Sequence, residues 1–170
     1  MPSQLLKTFL DENDIKYISI MHSMAFTAVE VAKSSHIPSR ELAKTVIINV
    51  DNELAMAVVP ANYKVNLDIL RQTLGTPKVK LAEEAEFTPR FKDCEVGAMP
   101  PFGAIYEVPL YMYEGFDEDS DIAFRAGSHH EIIKMQFSVY KRLAHPMTLT
   151  EGFAKIGMKK PDWLARRKAS

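Results

Sequence analysis

Apolar residues recur at helical spacing in several stretches, each preceded by a residue type that favours a helix N-terminus. Thr27 and Glu30 have the spacing of a capping box, in which each side chain binds the other residue's backbone N–H group. Asn66 and Gly75 bracket the segment LDILRQTL, with the glycine placed where helices commonly end. Helices are therefore predicted after Ser3, from Thr27 to His36, from Asn66 to Gly75, over 82–87, and after a cap at Ser138.

Apolar, β-branched segments alternate with these helices. The runs 44–50 and 54–59 flank Asp51-Asn52 and predict a hairpin. Because helices and strands are interleaved while several strands are hairpin neighbours, the predicted fold class is α+β (mixed α/β). A single domain with a mixed β-sheet flanked by helices is expected. Further strands are predicted over 16–21, 78–81, 108–113, 121–126 and 131–137.

Length and composition are those of one globular domain: 170 residues, 46% hydrophobic and 25% charged. No run approaches the roughly 18 apolar residues that span a bilayer. The N-terminal sequence MPSQLLKTFLDENDIKY has acidic residues where a signal peptide would be apolar. The one cysteine, Cys94, excludes an internal disulfide network and fits a reducing cytosol. We expect a cytoplasmic protein with no membrane partner.

Charge is unevenly distributed along the chain although the net charge is only −1. A value so close to zero argues against non-specific coating of nucleic acid, so DNA is not an expected partner. From Pro146 to Ser170, six basic residues stand against two acidic ones, which gives this segment a charge of +4 and the remainder −5. The segment is predicted either to contact a phosphate backbone or to be a solvated tail. The predicted organisation is a domain at 1–145 and a basic C-terminal extension at 146–170, with candidate contacts at Lys155, Lys159, Lys160, Arg166, Arg167 and Lys168.

Lys44 is the first candidate for chemistry, because it follows Ala43 at the mouth of an apolar strand. From there an ammonium group reaches a phosphate or carboxylate in a neighbouring cleft. A lysine at a strand edge also commonly lays its stem over apolar surface and places its charge in water. The position alone leaves both interpretations open.

The segment GAMPPFG combines two glycines with two prolines and is the least regular part of the chain. The glycines permit positive φ or close backbone approach, and the prolines stiffen the segment between them. Such a loop suits the binding of a carbonyl oxygen or oxyanion by N–H groups, although a rigid connector is an equal alternative. Since proline has no N–H group, the donors must come from the other residues. The candidates are Gly97 and Gly103 as catalytic residues, and Ala98, Met99, Pro100, Pro101 and Phe102 as substrate-binding residues.

His129 and His130 lie between two predicted strands. Histidine serves as a general acid or base near neutral pH, and either residue could do so or merely occupy a turn. Adjacent residues of an extended chain point to opposite faces, so the pair is not expected to hold one metal ion. The other histidines, His22, His36 and His145, are not at a spacing from this pair that is typical of metal ligands. We therefore predict no metal and no cofactor.

Cys94 is a tempting nucleophile, but its neighbours oppose that role. Asp93 and Glu95 flank it, and their negative charges would raise the pKa of the thiol and disfavour the reactive thiolate. A structural cysteine is expected.

Taken in order, these segments resemble the YbaK/ProX family of aminoacyl-tRNA deacylases, which also includes the editing domain inserted in bacterial prolyl-tRNA synthetases. The likeness covers residues 1–145, and the spacing between Lys44 and the central loop is its specific part. One departure is Glu107, where we expect glycine in many relatives; the change affects the pocket rim or the sheet edge. The matching stretches are LAKTVII (42–48), AMAVVPA (55–61), DCEVGAMPPFG (93–103), VPLYM (108–112) and AGSHHEIIKM (126–135).

The resemblance implies a curved mixed sheet flanked by helices, with a pocket for the aminoacylated 3′ adenosine. Lys44 would bind the phosphate or ribose of that adenosine, and the amides of the 97–103 loop would hold the acyl carbonyl. Water would attack without a metal, assisted by a ribose hydroxyl group. The histidine position of the family corresponds to His129 or His130.

The implied function is a trans-acting hydrolase that deacylates mischarged aminoacyl-tRNA in translation quality control. Synthetases need such help because one methylene changes binding by only about 1–3 kcal/mol. The expected partners are aminoacylated tRNA, contacted also by the basic extension, and an aminoacyl-tRNA synthetase. The alternative is a non-catalytic module that binds a tRNA acceptor end or an aminoacyl group, and a third hypothesis is a histidine-dependent metal hydrolase.

Overall fold

Three helices begin with the side-chain caps that the sequence predicts. The side-chain oxygens of Ser3, Thr27 and Asn66 each accept a hydrogen bond from the N–H group three residues later, a donor that the helix itself cannot satisfy. The structure, a computed structural model, describes residues 3–22 and 27–156. Among these residues no helix is long and apolar enough to cross a membrane. The helices are α1 (Gln4–Glu12), α2 (Ala28–Ser35), α3 (Leu67–Leu74), α4 (Glu84–Phe87), α5 (Gly103–Tyr106) and α6 (Phe137–Ala144).

Two helices differ from the prediction. The N-cap of α6 is Gln136 and not Ser138, because Phe137 is already buried and its N–H group donates to the carbonyl of Ser120 at 3.0 Å. The expected cap at Ser138 is therefore wrong, and this serine lies in the first turn of the helix. Helix α5 was not predicted at all. It has only four residues, too few for helical periodicity to show.

The predicted strands all form, and three more appear. The additional strands β4, β9 and β10 have three residues each, which is too short for an alternating pattern to be recognised. The strands are β1 (Ile18–Met21), β2 (Leu42–Val50), β3 (Glu53–Pro60), β4 (Tyr63–Val65), β5 (Val79–Leu81), β6 (Leu110–Tyr113), β7 (Asp121–Arg125), β8 (Glu131–Gln136), β9 (Met147–Leu149) and β10 (Phe153–Lys155).

The main sheet is mixed, as the sequence predicts. Its strand order is β1-β8-β7-β2-β3-β6-β9, and β5 pairs in addition with β2. The hairpin β2–β3 is antiparallel, as are β7–β8 and β1–β8, whereas β2–β7, β3–β6 and β6–β9 are parallel. Helices flank this sheet, so the predicted α+β class is confirmed.

The parallel pairing of β2 with β7 decides where the candidate residues meet. Leu42 lies opposite Ala123, and Ala43 lies opposite Phe124. The next residues along the two strands are Lys44 and Arg125. The sheet therefore brings together two cations that are far apart in the sequence.

The C-terminal segment continues into both sheets. β9 pairs with β6 at the edge of the main sheet, and β10 pairs with β4 in a separate two-stranded sheet. In that small sheet Lys155 lies opposite Tyr63. Lys159, Lys160, Arg166, Arg167 and Lys168 lie outside the described residues.

The ring of Phe102 anchors the 97–103 loop in the main core. It contacts the rings of Phe9, Phe124 and Tyr140 at centroid distances of 5.6, 5.4 and 5.2 Å. The buried hydroxyl group of Tyr140 donates to the carbonyl of Pro101 at 2.7 Å. Removing a buried aromatic side chain of this kind typically costs about 3–5 kcal/mol, so the end of the loop is firmly held.

Glu107 generates the first prediction. This exposed residue ends α5 with a φ of +57°, a left-handed conformation that costs a residue with a Cβ atom about 1 kcal/mol and that glycine adopts freely. Glu107→Gly is therefore expected to raise the free energy of unfolding by about 0.5–1 kcal/mol, which is the left-handed cost that it removes less the extra entropy of glycine in the unfolded chain, measured by urea denaturation. Glu107→Ala is the control, because alanine keeps the Cβ atom and should bring no gain. Equal stabilisation by both variants would contradict the conformational explanation.

Candidate functional site

Lys44 and the 97–103 loop meet in one small cleft. The mouth of β2 supplies one side, the start of the loop supplies another, and α2 and the end of β7 complete it. The two candidate regions, about fifty residues apart in the sequence, thus share a surface. The lining residues are Ala28, Leu42, Ala43, Lys44, Thr45, Gly97, Met99 and Arg125.

Lys44 is half-buried, and its Nζ atom donates a hydrogen bond to the carbonyl of Tyr63 at 2.5 Å. Burial lowers the pKa of this ammonium group, because the charged form loses solvation. A lysine has three N–H donors, and the bond to Tyr63 uses one of them. An anionic or hydroxyl group in the cleft would restore solvation to the charge.

Two loop residues that line the cleft have backbone N–H groups with no partner among the described residues. The N–H groups of Ala98 and Phe102 donate to the carbonyls of Glu95 and Pro100 at 3.0 and 2.9 Å. Those of Gly97 and Met99 donate to no other group within residues 3–22 and 27–156. Because Gly97 and Met99 also line the cleft, their amides are the ones that could bind an oxygen atom there.

The other proposed loop residues are buried. Ala98, Pro100, Pro101 and Phe102 pack inward and do not line the cleft. Gly103 is also buried, and a Cβ atom there would collide with the carbonyl oxygen of Val108. Close packing therefore explains why this position is glycine, and Gly103 does not line the cleft.

His129 is buried beneath the start of the loop and does not line the cleft. Its Nε2 atom lies 2.8 Å from the carbonyl oxygen of Val96, which only accepts, so Nε2 carries the proton. Its backbone N–H group donates to Oε2 of Glu95 at 2.9 Å. The backbone N–H group of His130 donates to Oγ of Ser128 at 3.0 Å, and His130 is likewise absent from the cleft lining.

Arg125 is the residue at this site that sequence reasoning missed. It lines the cleft, and its Nη1 atom donates to the carbonyl of Gly97 at 2.7 Å. Burial lowers the pKa of its guanidinium group, and the charge of Glu30 opposes that shift. An arginine at the end of a strand is usually solvated, and only the pairing of β7 with β2 reveals its position beside Lys44.

Cys94 belongs to a separate polar cluster. Its Sγ atom lies 3.2 Å from the hydroxyl group of Tyr106 and 3.4 Å from Oδ1 of Asp93, which also accepts a hydrogen bond from Ser3 through Oδ2. Burial raises the pKa of the thiol to about 12, and the charge of Asp93 raises it further. The direction agrees with the prediction, although burial rather than the flanking acids is the main cause. In the described part of the chain, no group of three or more His, Cys, Asp or Glu residues could hold a metal ion.

Comparison with known proteins assigns the family. Residues 22–143 match the aminoacyl-tRNA editing domain family. Because the match covers most of the chain, the protein belongs to this family, and a role in aminoacyl-tRNA editing follows from membership. No curated protein matches the chain.

Several solved structures share the fold. A proposed trans-editing enzyme for prolyl tRNA synthetase is 14% identical with a TM-score of 0.75, and the alignment covers 86% of this chain and 93% of that one. The hypothetical protein APE2540 is 15% identical with a TM-score of 0.74 and coverages of 85% and 97%. A scaffold protein used for epitope backbone grafting by computational design is 14% identical with a TM-score of 0.76 and coverages of 91% and 97%. At these identities the likeness shows the fold alone.

Gly97 and Gly103 should respond differently to substitution by alanine. Gly97 has a φ of +85°, so Gly97→Ala should cost about 1 kcal/mol in stability. The new methyl group would be in ordinary contact with Cε1 of His129 at 3.6 Å, but relaxation of the strained left-handed backbone would move the loop amides, so activity should fall at least tenfold. Gly103→Ala should destabilise much more, since the new Cβ atom meets backbone. Thermal melts and deacylation assays measure the two effects.

Gly75→Ala is the matched control for Gly97→Ala. Gly75 has a φ of +69° and no atom within 4 Å of its added Cβ position, so the backbone strain is similar and the cleft is untouched. If Gly97→Ala and Gly75→Ala have the same melting temperature and lose the same activity, the loss comes from general backbone strain and Gly97 has no specific role in the cleft.

Proposed function

We propose that the protein is a trans-acting hydrolase that deacylates mischarged aminoacyl-tRNA by cleaving the ester bond at the 3′ adenosine. The observation that carries this proposal is the meeting of the Lys44 ammonium group with the two available amides of Gly97 and Met99 in one cleft. Membership in the aminoacyl-tRNA editing domain family supports the choice of substrate.

Each group has a definite role in the proposed reaction. Lys44 binds the phosphate or ribose of the terminal adenosine, which places the ester over the loop. The N–H groups of Gly97 and Met99 hold the acyl carbonyl and then the oxyanion of the tetrahedral intermediate. One such donor is typically worth about 2.7–4 kcal/mol of barrier.

The attacking group is water, assisted by a ribose hydroxyl group of the substrate. An aminoacyl ester is already activated, so positioning and oxyanion stabilisation suffice, and the proposed reaction uses no metal or cofactor. The water adds to the acyl carbon, the bond to the ribose oxygen breaks, and that oxygen takes a proton. The products are the free amino acid and intact tRNA.

The basic C-terminal extension is proposed to contact the tRNA backbone. Lys155 lies opposite Tyr63 in the β4–β10 pair, and the carbonyl of Tyr63 holds Lys44. The described chain therefore ends close to the cleft, and the 14 residues beyond Ile156 have a net charge of +4. Residues 1–145 are proposed to carry the catalytic machinery of a cytoplasmic protein, and β9 and β10 at the start of the extension complete its two sheets. The similarity to a proposed trans-editing enzyme for prolyl tRNA synthetase supports a synthetase as a functional partner.

Lys44→Ala should abolish deacylation without unfolding the protein, because it removes the cation that holds the terminal adenosine. The assay counts the amino acid released from a panel of mischarged tRNAs, with and without EDTA. Lys80→Ala is the matched control, since Lys80 is an exposed lysine on β5, which pairs with the other end of β2.

Three outcomes would contradict the proposal. Normal turnover by Lys44→Ala removes the assigned role of Lys44, and a tenfold loss in EDTA indicates metal chemistry. Binding of aminoacylated tRNA without release of amino acid from any member of the panel favours a non-catalytic binding module.

Removing residues 157–170 should raise KM for tRNA and flatten its dependence on salt, because fewer counterions are released on binding. The cut after Ile156 keeps both β9 and β10. Turnover of a minimal aminoacylated adenosine should not change, since that substrate lacks the distant phosphates. An unchanged salt slope with a lowered melting temperature would show instead that the extension stabilises the domain.

A further inference from the structure

Four consecutive carbonyl groups at the start of the loop are bound by donors from the protein. Those of Glu95 and Ala98 accept from the N–H groups of Ala98 and Gly127 at 3.0 and 2.9 Å. Those of Val96 and Gly97 accept from side chains, at 2.8 Å from Nε2 of His129 and 2.7 Å from Nη1 of Arg125. Three of the four donors therefore belong to residues 125–129, the end of β7 and the turn that follows it.

We propose that His129 and Arg125 are positioning residues that aim the backbone amides of the loop into the Lys44 cleft. The catalytic consequence rests on the proposed deacylase function, whereas the structural effect on the amides does not.

The coupling follows from the planarity of the peptide bond. A carbonyl and the N–H group of the next residue belong to one rigid unit and point in opposite directions. Holding the carbonyl of Val96 towards His129 therefore turns the N–H group of Gly97 away from His129. In the same way, the bond from Gly127 to the carbonyl of Ala98 orients the N–H group of Met99.

Arg125 holds the peptide unit between these two. Its bond to the carbonyl of Gly97 fixes the plane that contains the N–H group of Ala98, which donates back to Glu95. With that central plane fixed, the donors of Gly97 and Met99 are kept in a constant relation to each other. Preorganised donors need no reorientation when the oxyanion forms, and this is the main source of their catalytic effect.

His129 could act in either of two ways, as a positioning residue or as a general base, and the two roles predict different effects of substitution. A general base must reach the reacting groups, whereas His129 lies outside the cleft lining and donates from Nε2 to the carbonyl of Val96. Glutamine places an N–H donor near the Nε2 position but cannot act as a base near neutral pH. His129→Gln should therefore retain activity within about threefold of the wild-type value, and His129→Ala should lose at least tenfold in kcat with little change in KM.

Arg125→Ala should show the same signature, a fall in kcat of at least tenfold with KM within about threefold. Arg90→Ala is the matched control, because Arg90 also donates from Nη1 to backbone carbonyls, those of Tyr106 and Glu107, at 3.2 and 3.3 Å, and does not line the cleft. The Arg90→Ala variant can lose some stability, but its kcat should equal the wild-type value.

The backbone amide resonances of Gly97 and Met99 give a readout that needs no substrate. In His129→Ala and Arg125→Ala these resonances should shift and their hydrogen exchange should change, whereas His129→Gln should leave them close to their wild-type values. Unchanged Gly97 and Met99 amides in both alanine variants would overturn the proposal, whether or not the wild-type protein hydrolyses any mischarged tRNA.

The kinetic results contradict the proposal in two further ways. Inactivity of His129→Gln equal to that of His129→Ala would indicate that the imidazole itself takes part in proton transfer. A rise in KM alone for Arg125→Ala would make Arg125 a substrate-binding residue. If the wild-type protein is inactive on every mischarged tRNA, the proposed function fails, and the amide resonances alone decide the positioning role.

Discussion

The candidate site depends on the hydrogen bonds that tie the carbonyls of residues 96–98 to the end of β7 and the turn that follows it. A loop with bare amides has no reason of its own to aim them at a substrate, because each peptide unit can rotate about its flanking bonds. Here the carbonyl side of each unit is engaged by Arg125, Gly127 or His129, so the amide side follows. The orientation of these amides is thus determined by contacts from the end of β7 and the turn after it, where Arg125 lines the cleft and Gly127 and His129 do not.

The rest of the fold supports these bonds from two directions. Phe102 and the Pro101 carbonyl anchor the far end of the loop in the aromatic core, through Phe124 and Tyr140. The parallel pairing of β2 with β7 holds Lys44 beside Arg125. A dense core is rigid, so an error in either anchor would reach the cleft as a shift of the loop. Packing and the proposed catalysis therefore require the same residues to stay in place.

The elements with strong local signals could be predicted from sequence. The caps at Thr27 and Asn66 and the hairpin around Asp51 depend on neighbouring residues, and local pattern indicates them well. β4, β9, β10 and α5 have three or four residues each, and tertiary pairing rather than periodicity makes them form. The prediction of a cap at Ser138 was wrong because the burial of Phe137 places the start of α6 one residue before this serine.

Residues of the candidate site could be predicted from sequence only where the residue type and its neighbours suggest a chemical role. Lys44 and the glycine-proline loop stood out because a lysine at a strand mouth and a stiff glycine loop are uncommon. Arg125 did not, since its role comes from the partner strand. His129 was named as a candidate, but its hydrogen bond to Val96 was not predicted. The two residues are 33 positions apart, and the local sequence around either one does not indicate the other.

The parallel pair β2–β7 has a consequence for when the protein becomes competent during synthesis. Leu42 and Ala123 meet across some eighty residues of chain, and closing so long a loop is entropically costly and slow compared with forming a helix or hairpin. The side of the cleft that Arg125 supplies is missing until β7 has left the ribosome. A nascent chain that stalls before that turn carries Lys44 and the complete glycine-proline loop but has no assembled site. The cleft that joins Lys44 to the loop can therefore assemble only after β7 has been synthesised and has paired with β2.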